Sequence, residues 1–167
     1  IDHIDMPQEK KDFYKGQIYF FKAFTYLQII RIWGDCILLK DDVIFTAVAK
    51  SHWTEVADYA IDLAKKAISL LPDFDQMTDY NGNAIKYKST PSKGAANAVL
   101  AHLCAWKAGC KYMAQPDQQN YDEVDLWKTA EQACTDIIKR TDLYDLENSA
   151  EEICTKALVG NRFLRQN

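Results

Sequence analysis

Between Ile18 and Trp33 the chain places twelve apolar residues in sixteen positions, and the exceptions Lys22, Thr25, Gln28 and Arg31 recur every third residue. On a helix each step of three falls about 60° short of a full turn, so these four wind around the surface and make no single polar face. The pattern predicts a helix from about Glu9 to Trp33, helix A, covered on most sides. Pro7 suits its first turn, and Gly34-Asp35 ends it before the short apolar run Cys36-Ile37-Leu38-Leu39. A membrane span needs about 20 apolar residues with few charges, and Lys22 and Arg31 interrupt this one. Phe21-Lys22-Ala23-Phe24 lacks the alternation of a strand.

Downstream the spacing becomes that of ordinary amphipathic helices. Trp53, Val56, Ala57, Ala60, Ala64, Ala67, Ile68 and Leu71 follow 3-4 spacing and predict helix B, with Ser51 as N-cap and Pro72 as its stop. Its alanines imply close approach to another helix. Thr90-Pro91 predicts the start of helix C, which is rich in small residues and runs to Trp106 or Cys110. Asp125 is read as the N-cap of helix D, which reaches Arg140 with the stripe Leu126, Trp127, Ala130, Ala133, Cys134, Ile137 and Ile138. Leu143 to Leu146 is a short turn or extended segment, and a last helix, E, is expected from Ala150 to Val159 before the stop Gly160-Asn161. Asp41 to Lys50 is a connector to which no structure is assigned.

An internal repeat links these helices. Superposing Trp53 on Trp127 aligns B with D at an offset of 74, and Gly16 on Gly94 aligns A with C at an offset of 78. Two helical hairpins, A/B and C/D, stacked in the manner of tetratricopeptide solenoids are therefore expected. The fold class is all-α, with four to five helices, long inserted loops and a single domain over residues 1–167.

The candidate chemistry is thin. The net charge of −4 leaves no basic stripe for nucleic acid. His3, His52 and His102 have no metal-ligand spacing, and no phosphate loop, nucleophile elbow or zinc motif occurs. Five cysteines without a Cys-x-x-Cys read as inert core residues. No catalytic residue, metal ligand or cofactor is assigned. Asp73 to Ser89 is the longest irregular segment, and Asn81-Gly82 is a turn signal that closes a small hairpin. Tyrosine rings stack on pyranose faces and amides serve sugar hydroxyls, so Tyr80, Asn81 and Tyr87 are candidate glycan-binding residues. A solvated insertion is the blander reading, and the one composition favours.

Four blocks in order resemble the SusD/RagB family. Gly16-Gln17-Ile18-Tyr19-Phe20-Phe21-Lys22-Ala23-Phe24 with Arg31-Ile32-Trp33-Gly34-Asp35 is similar to its first signature, although Ile37 stands where the family usually has proline. Trp53 to Pro72, Thr90 to Gly109 and Trp127 to Leu146 resemble its next helices, so the match spans about residues 16–146. Family members are several times longer, and what is here resembles their tetratricopeptide-like core, a fragment of a longer protein. The start at Ile1 is likewise expected of a chain processed or cut from something longer. The resemblance implies a non-catalytic nutrient-binding lipoprotein on the cell surface. It would bind an oligosaccharide or other nutrient and act with a TonB-dependent, SusC-like outer-membrane transporter, attached through a lipid anchor missing from this sequence. The alternative is a general tetratricopeptide-like interaction scaffold unrelated to glycans.

Overall fold

The computed structural model describes residues 1, 3–40, 45–79, 81–86, 88–146 and 148–154. Four long helices carry the fold: α1 (Gln8–Trp33), α2 (Trp53–Leu70), α3 (Lys93–Gly109) and α4 (Glu123–Ile138). A short turn of helix, α5 (Ala150–Glu152), begins where helix E is expected, capped by the Ser149 hydroxyl, which accepts the Glu152 N–H. The remainder of helix E and the tail beyond Cys154 lie outside the described residues. Among the described residues there is no strand, and two isolated antiparallel bridges join Cys36 to Ser51 and Thr78 to Ala84. No described helix is long and apolar enough to cross a membrane.

The helices pack in chain order, α1 on α2, α2 on α3 and α3 on α4, which is the two-hairpin array the repeat predicts. The alanines of α2 act as that reading requires: Ala57, Ala60, Ala64 and Ala67 are buried, letting α2 sit close between its neighbours. The repeat also extends to a crossing. In α1, Gly16 faces Leu71, the residue just past α2, and a Cβ there would come within 2.9 Å of the leucine side chain. In α3, the aligned Gly94 faces the ring of Tyr144, which follows α4, and a Cβ would run into that ring. Each hairpin thus uses a helical glycine to admit the chain leaving its second helix.

The caps differ from expectation. Ser51 does not cap α2: the N-cap position falls at His52, and Ser51 sits one residue earlier, bridged through its N–H and C=O to Cys36. Asp35 crosses over instead: Oδ1 accepts the Trp53 N–H at 2.9 Å, and Oδ2 lies 3.3 Å from His52 Nδ1. The Gly34-Asp35 step that ends α1, with Gly34 at φ 68°, therefore also starts α2. Asp35→Ala is expected to cost about 0.5–2 kcal/mol, as loss of an N-cap does. Thermal unfolding followed by circular dichroism measures it, and an unchanged Tm would refute the capping role. Helix α3 begins at Lys93, after Ser92, and not at Thr90-Pro91, since Ser92 is still extended (φ −108°, ψ 175°). The α4 cap is Asp122, whose carboxylate accepts the Val124 N–H, and not Asp125, which sits inside the first turn.

Two expectations about burial are corrected. Helix α1 is covered on one side only: Ala23, Tyr26, Leu27 and Ile30 are buried, while Ile18, Phe21, Phe24, Ile32 and Trp33 are exposed. Among the described residues its principal helix partners are α2 and α3, which leaves those five side chains exposed. Tyr26 is held inside, its hydroxyl donating to the Leu39 C=O at 3.0 Å and accepting the Leu39 N–H at 2.8 Å. The α4 stripe is likewise half used. Ala130 and Ala133 are buried, whereas Trp127 and Ile138 are exposed. Among the cysteines, Cys36 and Cys104 are buried free thiols, as a core reading requires, and burial pushes the Cys104 thiol up to about 11. Cys134 and Cys154 are exposed, contrary to that reading. Cys154 is the last described residue of helix E, and Cys134 falls on the open side of α4.

A polar cluster braces α2 against α3. The Lys107 side chain is only 4% exposed; its Nζ donates to Asp58 Oδ1 at 2.5 Å and lies 4.4 Å from the centre of the Tyr121 ring. Tyr121 donates its hydroxyl to the Lys107 C=O at 2.8 Å, and its own C=O accepts from Lys111 Nζ at 2.9 Å. The segment between α3 and α4 is thereby pinned to the hairpin.

Candidate functional site

The long loop after α2 turns out to be built. Pro72 leads into a helical turn at Phe74–Gln76, and the chain then pairs with itself through the Ile85 N–H to Met77 C=O bond (3.0 Å) and the Asp79 N–H to Asn83 C=O bond (2.8 Å). Asn81-Gly82 makes the predicted turn, with Gly82 at φ 83°, a conformation glycine adopts without strain. Asp79 organises it: Oδ1 accepts the N–H groups of Asn81 and Asn83, and Oδ2 accepts from the Asn83 amide. These bonds, led by those from Asn83, hold the Asp79 carboxyl below the usual carboxylate range.

Three anchors fix the loop to the body. Met77 is buried beneath it. Arg140, just past α4, donates to Asp73 Oδ2 at 2.8 Å and reaches Asp75 at 3.6 Å while it chelates Asp142. Lys88 donates to the Leu143 C=O at 2.6 Å, with its ammonium 4.7 Å from the Tyr144 ring centre.

So anchored, the loop forms one wall of an open groove of about 890 Å³. The first three turns of α1 make the opposite wall, with Glu9, Asp12, Phe13, Tyr14 and Gln17, and the end of α2 forms the floor with Leu70 and Leu71. Gln76, Thr78 and Asp79 line it from the loop. Helical spacing places Phe13, Tyr14 and Gln17 on the loop side of α1. Exposed aromatic surface beside carboxylates and amides gives a site that stacks on a flat polar ligand and accepts hydrogen bonds from its hydroxyls. Asp12 is itself tied to Gln8, which donates to it at 2.7 Å. Among the described residues no cluster of His, Cys, Asp or Glu has the form of a metal site.

Asn81 stands exposed at the tip of the turn, its backbone N–H taken by Asp79, and it is not part of the groove lining. Tyr80 and Tyr87 lie outside the described residues. The α1 wall went unread in the sequence, and its residues carry no local motif. A signal was nevertheless present, since Tyr14 and Gln17 share a helix face with Lys10.

The class of protein is thus an all-α array of tetratricopeptide-like hairpins with a structured loop inserted after the first. Neither a protein-family model nor a curated protein matches the chain by sequence. Solved structures do match by fold. A SusD-like carbohydrate binding protein from Bacteroides fragilis superposes with a TM-score of 0.66 at 17% identity, over 89% of this chain and 25% of that one. A SusD superfamily protein from Bacteroides thetaiotaomicron gives 0.64 at 23% identity, over 87% and 30%. A further SusD-like protein from Bacteroides fragilis gives 0.62 at 19% identity, over 87% and 24%. The chain has the SusD-like helical fold, and it spans roughly a quarter to three tenths of the length of those proteins.

Proposed function

We propose that the protein is a non-catalytic glycan-binding component of an outer-membrane nutrient uptake system. On this reading it lies at the cell surface, held by a lipid anchor, and works with a TonB-dependent, SusC-like transporter. The observation that carries the reading is the SusD-like fold together with a groove whose walls combine Tyr14 and Phe13 with Glu9, Asp12, Gln17 and Asp79. Tyr14 offers a ring for stacking, and the carboxylates and the amide accept from and donate to sugar hydroxyls. Tyr80, Asn81 and Tyr87 belong to the proposal as loop residues on the chemistry of their side chains alone.

Titration calorimetry against a panel of bacterial-host and plant oligosaccharides tests the site. For whichever glycan binds, Tyr14→Ala with Gln17→Ala is expected to weaken binding at least about tenfold, or 1.4 kcal/mol. The pair Tyr80→Ala with Tyr87→Ala separates the loop from the helix wall. Unchanged affinity in both double variants would remove the groove from the proposal, and turnover of the sugar would remove the non-catalytic reading.

A further inference from the structure

The turn after Asp79 holds reactive groups that glycan binding does not use. Asn81-Gly82 is the one Asn-Gly pair in the chain. Asn81, Gly82 and Asn83 are all exposed, and the Asn81 side-chain amide makes no hydrogen bond among the described residues. A Cβ on Gly82 would meet nothing within 4 Å. An asparagine followed by glycine is open to attack by the glycine's own backbone nitrogen, because no side chain hinders the approach. The nitrogen gives its proton to water or hydroxide and bonds to the asparagine Cγ. The Cγ–Nδ2 bond breaks and ammonia leaves. Water then opens the five-membered imide at either of its carbonyls, which gives aspartate or isoaspartate. Only water is consumed.

In the closed turn the attacking nitrogen is engaged elsewhere. The Gly82 N–H donates to the Asp79 C=O at 3.1 Å, and the Asp79 N–H donates to the Asn83 C=O at 2.8 Å. The Asp79 carboxylate holds both strands of the turn: Oδ1 accepts the Asn81 and Asn83 N–H groups at 2.8 and 2.9 Å, and Oδ2 accepts from the Asn83 amide at 3.2 Å. We infer that Asn81-Gly82 is a latent modification site, which converts to aspartate and isoaspartate without an enzyme, and that Asp79 restrains it by keeping the turn closed. Reaction proceeds only from the fraction of molecules in which the turn is open. Hydrogen bonds to an ionised acceptor are the strong ones. The Asp79 carboxyl sits below the usual carboxylate range, so it stays charged at neutral and alkaline pH, where the glycine nitrogen loses its proton most readily. The product places a new carboxylate two residues from Asp79, and isoaspartate adds a carbon to the main chain, which breaks the Asp79–Asn83 register. Thr78 and Asp79 line the groove, so an aged molecule carries an altered loop wall.

Peptide mapping by mass spectrometry tests this on the full chain held at about pH 8 and about 37 °C, with the same chain unfolded in guanidinium chloride giving the rate of the open turn. The folded wild type is expected to lose Asn81 at least about tenfold more slowly than the unfolded chain, and Asp79→Ala to recover most of that difference. Asp79→Asn keeps an acceptor without the charge and should fall between them. Equal rates for folded and unfolded wild type overturn the inference. So does an Asp79→Ala protein that reacts as slowly as the wild type. Circular dichroism accompanies each folded sample. The hydrogen bonds of the Asp79 side chain all lie within the turn, so a variant that loses helix content contradicts a role confined to it.

Discussion

Asp58→Ala is expected to destabilise the protein by about 2–3 kcal/mol, whereas Lys107→Met should cost only about 1 kcal/mol, although the two side chains share one ion pair. The asymmetry follows from where each partner lives. The lysine side chain is 4% exposed and that of the aspartate 63%. Removing the carboxylate leaves an ammonium buried against the Tyr121 ring with its counter-charge gone. Such a loss reaches about 3–5 kcal/mol for fully buried pairs. The exposed carboxylate is already partly screened, so the lower figure applies. Removing the ammonium strands nothing, since Asp58 returns to water and methionine preserves the packed stem, while the ring contact is lost. The double variant should therefore resemble Lys107→Met alone. Urea unfolding gives all three values, and equal costs for the two single variants would show that the pair is not asymmetric.

Gly16→Val is the second substitution with a large expected effect, about 3 kcal/mol of destabilisation from overpacking. The first added carbon meets Leu71 at 2.9 Å, and Leu71 is 2% exposed, with little room to withdraw. In a Leu71→Ala background the two leucine contacts are gone and only Leu70 Cβ, at 3.2 Å, remains, so there the same change should cost much less, and the two substitutions should be strongly non-additive. The aligned Gly94→Val should cost less. Tyr144 is half-buried and can swing aside, giving up its 3.2 Å hydrogen bond with Ser92. Equal penalties at the two glycines, or additivity with Leu71→Ala, would contradict the crossing geometry.

Helix A was readable because its signals are local: Pro7 at the entry, Gly34 at the exit and the apolar run between. The alanine stripe of α2 and the repeat offsets were readable for the same reason. The caps were less so. A cap supplied by Asp35 from the far end of a connector leaves no trace beside Trp53, and Ser51 looks like a cap until the helix is seen to start one residue later, with His52 at the N-cap. Periodicity showed that α4 is amphipathic, but not that Ile138 on its stripe is 70% exposed among the described residues. At the candidate site, Asn81-Gly82 announced the turn. The wall of Glu9, Asp12, Tyr14 and Gln17 came into view only when α1 and the loop were brought together. Adjacency between segments sixty residues apart is a tertiary fact that no local pattern encodes.

The clasp between the end of α1 and the start of α2 has a consequence for how the chain can change length. Cys36 and Ser51 are bonded to each other, Asp35 is bonded to Trp53, and Leu39 and Lys40 are held by Tyr26 and Tyr59, so the residues on both sides of the rest of the connector are fixed to the body close to one another. Its contour length is decoupled from the spacing of the two helices. Doubling such a closed excursion adds only about 0.6 kcal/mol of closure entropy. The connector after Lys40 is thus the natural place to splice in a peptide tag or a reporter domain without moving either helix, provided that Asp35 to Lys40 and Ser51 are left in place.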